Sequence, residues 1–258
     1  MMRPPAVYGN WKMNLDLVEA IHLTQQLGVL LRRSPLEHVE VGVAPPFVDL
    51  RSVASVIEAD RLGLVLCAQH VNEHESGAHT GEVSLAMLER LGVCAVIVGH
   101  SERRRLYGMD DALVGRTLAR VAGAGLRAIL CVGEGLEVRE AGAEEAFVAE
   151  QLRAALAGLA EGARANVTVA YEPLWAIGTG VVAEPAQVAA QNGSIRATLA
   201  GLGLDAPVLY GGSVTAENAS ELAHDGALDG FLVGGASLRA EAFHAVCRAL
   251  DDCYASTR

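Results

Sequence analysis

Eight short apolar runs recur along the chain at a near-constant interval, and this rhythm limits the fold more than any other feature. The runs span residues 6–10, 39–44, 63–69, 93–99, 127–133, 166–172, 207–211 and 230–234, are rich in Val, Ile, Leu and Ala, and all but 63–69 end in or just before Gly, Asn or Pro. From Asn10 to Gly234 the chain advances 224 residues in seven steps, or 32 per step. Continuous apolar runs of this length suit parallel strands buried on both faces. The intervening segments suit helices. Residues 15–33 place Leu17, Ile21, Leu27 and Leu31 near one face, and 144–159 do the same for Phe147, Leu152, Ala155 and Leu159, while 184–202 is patterned more weakly. Eight β–α units in about 250 residues predict a closed, parallel (β/α)8 barrel. The open doubly wound sheet is the alternative, but no G-x-G-x-x-G follows the first run. Glycine pairs instead end the seventh and eighth runs, where barrels commonly bind phosphate. No linker or low-complexity break divides the chain, so residues 1–258 are expected to form one α/β domain.

In a barrel, functional groups sit at the carboxyl ends of the strands. Glu172 ends the sixth run and precedes Pro173, which favours an extended backbone. A carboxylate at the rim of a low-dielectric pocket has reason to carry a raised pKa and to act as a base; a helix-start or salt-bridge glutamate is the alternative. His100 directly follows the fourth run, which is apolar back to Val93, and Ser101-Glu102 look like a helix start. The positive end of that helix disfavours an imidazolium, and a neutral imidazole can donate to an oxygen that becomes negative. A satisfied core histidine would look the same. Lys12 follows the first run by two residues and could hold a substrate anion. Surface lysines are ordinary, but 19 of the 20 basic residues are arginine and Lys12 is the only lysine. Gly211-Gly212 and Gly234-Gly235 let backbone N–H groups approach a phosphate, or simply form tight turns. The segment Pro173, Leu174, Trp175, Ala176, Ile177, Gly178, Thr179, Gly180 has a rigid start, an apolar middle and a glycine-bearing end, a composition that suits a lid.

Charge excludes other partners. With 20 Lys+Arg against 31 Asp+Glu the net charge is −11, which argues against nucleic acid and against an anionic membrane surface. No apolar run approaches the ~20 residues of a membrane span. Met1-Met2-Arg3-Pro4-Pro5 lacks an apolar signal core, so the protein is expected in the cytoplasm. The five cysteines fit reduced thiols; Cys67, Cys94 and Cys131 lie in apolar runs and are expected to be buried, and Cys247 and Cys253 match no metal spacing.

Asn10-Trp11-Lys12-Met13-Asn14, Gly99-His100-Ser101-Glu102-Arg103-Arg104, Ala170-Tyr171-Glu172-Pro173 with Leu174–Gly180, Tyr210-Gly211-Gly212-Ser213-Val214 and Leu232-Val233-Gly234-Gly235-Ala236-Ser237-Leu238 resemble, in order, the signatures of the triosephosphate isomerase family. The resemblance covers residues 6 to about 250. It implies a single TIM barrel and an aldose–ketose isomerase of glycolysis and gluconeogenesis acting on a phosphorylated triose, without metal or cofactor. Glu172 would move a proton between adjacent carbons, and neutral His100 would polarise the carbonyl. Lys12 and Asn10 would stabilise the enediolate. Gly178, Ser213, Gly234 and Gly235 would donate N–H groups to the phosphate, Glu102 would support the site from behind, and residues 173–180 would close over it. A homodimer is implied through the 14-residue loop 69–82, with Thr80 near the partner's site. Three histidines and three glutamates in that loop leave metal binding as an alternative. The sequence departs from the family at His70, usually asparagine; at His79, before Thr80, usually aromatic; at Met109, often glutamate; and at Asn192, commonly histidine.

Three rival readings remain at this level. They are a paralogue isomerising a four-carbon ketose phosphate, Schiff-base chemistry at Lys12, and a non-catalytic phosphate-binding protein.

Overall fold

The computed structural model describes residues 4–177 and 183–256. All eight apolar runs are strands: β1 (Ala6–Asn10), β2 (Glu40–Ala44), β3 (Val65–Ala68), β4 (Ala95–Val98), β5 (Arg127–Val132), β6 (Val167–Tyr171), β7 (Val208–Tyr210) and β8 (Gly230–Val233). Each pairs in parallel with its neighbours in chain order, and β1 pairs with β8 to close the barrel. The closure needs glycine at Gly230: its φ is +145°, and a Cβ there would overlap the Ala6 carbonyl.

Helices cover the outside: α1 (Leu17–Arg33), α2 (Leu50–Asp60), α3 (Leu85–Glu89), α4 (Ser101–Tyr107), α5 (Asp111–Gly123), α6 (Leu136–Glu140), α7 (Glu144–Leu156), α8 (Pro185–Gly201), α9 (Ala216–Asp225) and α10 (Ala240–Ser256). α1 begins at a capping box in which Asp16 accepts from the N–H of Val18 and Glu19 and the Glu19 carboxylate accepts from Asp16 N–H. The buried stripes differ from those expected. α1 buries Ala20, Leu23, Thr24 and Leu27, while Leu17 is exposed. α7 buries Val148, Gln151, Leu152 and Ala155 and leaves Phe147 outside; Leu159 is buried beyond the helix end. In both helices the i, i+3, i+4, i+7 positions face the strands even where they hold Ala, Thr or Gln.

The core has two layers. Between strands and helices lie residues such as Val7, Leu27, Leu118, Leu152 and Val246. Inside the barrel, Ala44, Cys67, Ala95, Ile97, Ile129, Cys131 and Leu209 surround Tyr8. The Tyr8 ring occupies the space a side chain at Gly42 would take, and its hydroxyl meets Glu40 and Arg127 at the amino end of the barrel. Cys67 and Cys131 are buried as expected, but Cys94 is exposed, because it precedes β4 at that amino end. No described helix is long and apolar enough to cross a membrane.

Candidate active site

The strand ends converge on a cavity of about 370 Å³ at the carboxyl face, lined among others by Asn10, Lys12, His100, Glu172, Ser213, Gly234 and Gly235. These residues singled out in the sequence, together with Ile177, Gly211 and Gly212, thus share one chamber. Of the remainder, Glu102 does not line it but contacts Lys12 and His100, which do, Thr80 lies in an exposed loop and does not line it, and Gly178, Thr179 and Gly180 fall outside the described residues.

Glu172 is 1% exposed. Its Oε2 accepts the Ser101 N–H at 2.9 Å, a donor left free because Ser101 starts α4. Its Oε1 lies 3.0 Å from His100 Nε2 but out of line for a hydrogen bond, so this buried oxygen has no donor. An unpaired buried carboxylate oxygen is costly, and such atoms cluster where chemistry occurs. His100 caps α4, and its Nδ1 accepts from the Glu102 N–H at 3.2 Å, leaving the ring proton on Nε2 towards the cavity.

The electrostatics of this pair differ from the sequence expectation. Burial pushes the Glu172 pKa up, but the His100 imidazole and the Ser101 N–H outweigh it, so the carboxyl lies below its ordinary value. Burial disfavours the charged imidazole of His100, but the adjacent Glu172 carboxylate outweighs that and moves it above its ordinary value. Both directions belong to the two groups in contact. Moving Glu172 off Ser101 and away from the ring removes both pulls and leaves burial to act alone.

Lys12 Nζ pairs with Glu102 Oε1 at 2.8 Å and is the only Lys or Arg among the described lining residues. Its backbone is left-handed at φ +53°, a conformation few non-glycine residues adopt. Two contacts hold it: Lys12 N–H donates to Asn10 Oδ1 at 3.0 Å, and the Gln69 side-chain amide donates to the Lys12 carbonyl at 2.7 Å. Gln69 also donates to the Ala44 carbonyl at 2.9 Å, tying the ends of β1, β2 and β3 together. The buried Trp11 anchors the chain just before this turn.

The described part of the expected lid starts with a single 3-10 turn, Leu174–Ala176, after Pro173, and leads to Ile177, which lines the cavity. Glu134, fully buried, accepts on one oxygen from Trp175 Nε1 at 2.8 Å and from the Tyr171 hydroxyl at 3.0 Å. The Arg139 guanidinium lies 5.0 Å over the Trp175 ring, and the Ser213 hydroxyl donates to the Ala176 carbonyl at 3.0 Å.

Sequence reasoning missed Gln69, the Ser101 N–H, Glu134 and Arg139. Ser101 could have been found, because the first N–H of a predicted helix beside a predicted base is an available donor. The others act from the ends of β3 and β5 and from α6, and carry no local signal.

In the loop after β3, His70 is buried and its Nε2 lies 3.4 Å from Glu82, while Nδ1 has no partner. Among the described residues no three His, Cys, Asp or Glu converge as a metal ligand set. Burial and the charge of Arg103, opposed by Glu82, lower the His70 pKa from 6.5 to about 4. Between these values the unfolded chain binds the proton and the folded one does not, so acid removes stability. At pH 5 the cost relative to pH 7 is about 2 kcal/mol. Urea unfolding at the two pH values and fixed protein concentration should show this loss, and His70→Asn should abolish it; equal losses in both proteins would refute the assignment.

A closed parallel barrel with a carboxylate, an imidazole and one ammonium facing a glycine-lined chamber defines an acid–base enzyme of the aldose–ketose isomerase class. The family model described as triosephosphate isomerase matches residues 5–250. Curated relatives bearing that name include one from Nocardia farcinica, 50% identical over 248 residues that cover 94% of this chain and 95% of the relative. Another, from Rhodococcus jostii, is 48% identical over 249 residues and covers 94% and 95%. A third, from Mycobacterium bovis, is 48% identical over 248 residues with the same coverage. The chain belongs to the triosephosphate isomerase family.

Proposed function

We propose that this chain interconverts dihydroxyacetone phosphate and D-glyceraldehyde 3-phosphate through an enediolate. The observation that carries the reading is the placement of Glu172 Oε1, buried and without a donor, 3.0 Å from His100 Nε2 in the chamber that also holds Lys12. Glu172 takes a proton from the carbon next to the carbonyl; the C–H electron pair becomes the new C=C bond and the carbonyl π pair moves onto the oxygen. The Nε2–H of neutral His100 meets that oxygen and shuttles protons between the two oxygens, and Glu172 returns its proton to the neighbouring carbon. The steps are proton transfers within one substrate, which call for no cofactor.

To act, Glu172 leaves the Ser101 N–H and enters apolar surroundings, where burial raises its basicity. Lys12 and Asn10 stabilise the oxygen charge, with Glu102 orienting Lys12 and His100 from behind. Backbone N–H groups of Gly178, Ser213, Gly234 and Gly235 receive the phosphate, and closure of the segment from Pro173 to Thr179 keeps water from the enediolate. Schiff-base chemistry requires a desolvated amine, whereas Lys12 is salt-bridged to Glu102.

The chain acts as one catalytic domain, residues 1–258, in the cytoplasm, serving glycolysis and gluconeogenesis as a homodimer. Exposed Met13, Val48, Met87 and Tyr107 follow the first four strands in the chain, and exposed apolar side chains at this end of the barrel support self-association. The reading is tested by comparing kcat/KM on glyceraldehyde 3-phosphate and dihydroxyacetone phosphate with that on a four-carbon ketose phosphate. The three-carbon substrates are expected to be preferred; a strong four-carbon preference would overturn it.

A further inference from the structure

A base that must move and return needs a backbone that does not. Glu172 follows the last residue of β6, and Pro173 after it has no N–H to extend the ladder, so few hydrogen bonds are available to place it. On the β7 side, Gly211 N–H donates to the Tyr171 carbonyl at 2.7 Å. On the β5 side, Glu172 N–H donates to the Val132 carbonyl at 2.8 Å. The next residue on that side, Gly133, packs so closely on Glu172 that a Cβ there would overlap the Glu172 carbonyl. The chain then runs on to Glu134, whose carbonyl accepts Leu174 N–H at 3.0 Å and whose carboxylate accepts Trp175. Residues 132–134 therefore grip residues 172–175 in register, the base at one end and the start of the lid at the other.

What holds the grip is a side chain. Gly133 N–H, beyond the end of β5, donates to Oε1 of Gln151 at 2.8 Å, and this is a buried bond. Gln151 sits in the buried stripe of α7, at a position where an apolar residue would be ordinary. Removing the Gln151 acceptor takes away the partner of this buried N–H, and a buried donor left unpaired is costly.

We infer that Gln151 is a positioning residue for the isomerisation: through Gly133 it sets the place of the Glu172 backbone, and through Glu134 that of the lid's first turn. This rests on Glu172 being the base. Gln151 is not among the residues lining the cavity and reaches the base only through Gly133, so its loss acts on the chemical step and spares binding. In Gln151→Met the shape is kept and the acceptor is lost. Since sub-ångström misplacement of a reacting group is costly, kcat should fall about tenfold while KM stays within about twofold. Gln151→Glu keeps an acceptor oxygen whether or not it is ionised, and should retain kcat within about twofold. If the methionine variant does not fold, Gln151→Asn, one methylene short of Gly133, should show the same loss of kcat. Circular dichroism establishes folding, and Glu172→Gln run in parallel reports on the base itself. A folded Met or Asn variant with kcat within about twofold of the parent, or a Glu variant that loses as much as the Met variant, overturns the inference. If Glu172→Gln is also fully active, it is the assignment of the base that has failed.

Discussion

Glu172→Gln is expected to lower kcat by about 10³-fold while leaving the fold intact, in line with the value of a positioned general base. The amide has the carboxylate's shape, so it can still accept the Ser101 N–H that holds Oε2 in the parent. It cannot take a proton from carbon. The neutral amide gives up the net stabilisation that His100 and the Ser101 N–H lend the carboxylate, so some loss of melting temperature is expected while the variant stays folded at assay temperature. Glu172→Asp separates geometry from basicity. It keeps the charge but withdraws it by one methylene from the substrate, and its kcat should fall between the two. KM should change little in either, because the phosphate end of the chamber is untouched. The readout is the coupled steady-state assay together with a thermal melt. A glutamine variant that is folded and turns over at the parent rate would sink the assignment of the base.

Much of this was legible in the sequence for a physical reason. Parallel barrel strands are buried on both faces, so each appears as an apolar run, and the residue that ends or directly follows the run is the residue that faces the chamber. Asn10, His100 and Glu172 were found in that way. The faces of α1 and α7 were read less well, because the strand-facing stripe includes Thr24 and Gln151 while Leu17 and Phe147 point outward. Apolar content alone does not mark the buried side when small and polar residues fill close helix–strand contacts. The pKa of Glu172 was misjudged in direction because burial was weighed without its partners. Ser101 and His100 come from β4 and α4, more than 70 residues away, and only tertiary proximity shows that they draw the carboxyl down. Lys12 could be singled out by composition, but its left-handed backbone depends on Gln69, contributed after another strand.

Lys12→Arg should cost about 10²–10³-fold in kcat/KM, the range seen when one preorganised donor to a developing oxyanion is removed. The charge is conserved, so a null result would be the ordinary expectation at a surface position. Here the geometry denies it. The Nζ ammonium is a compact donor held against Glu102 at 2.8 Å. A planar guanidinium carries its nitrogens farther from the backbone and demands a wider, flatter space. Gly234 lies beside the lysine stem: a Cβ placed on Gly234 would come 3.6 Å from Lys12 Cε, so the larger group would press on the backbone expected to receive phosphate. A chain with a net charge of −11 must nevertheless attract a dianion, and among the described lining residues Lys12 is the only Lys or Arg available to do so. The fold should survive, since the left-handed turn at residue 12 is held by backbone contacts to Asn10 and Gln69 that the substitution leaves in place. Steady-state kinetics on both triose phosphates, with a thermal melt as control, decide the matter. An arginine variant of near-parental kcat/KM would show that any cation at this position suffices, and would remove Lys12 from the donors to the enediolate.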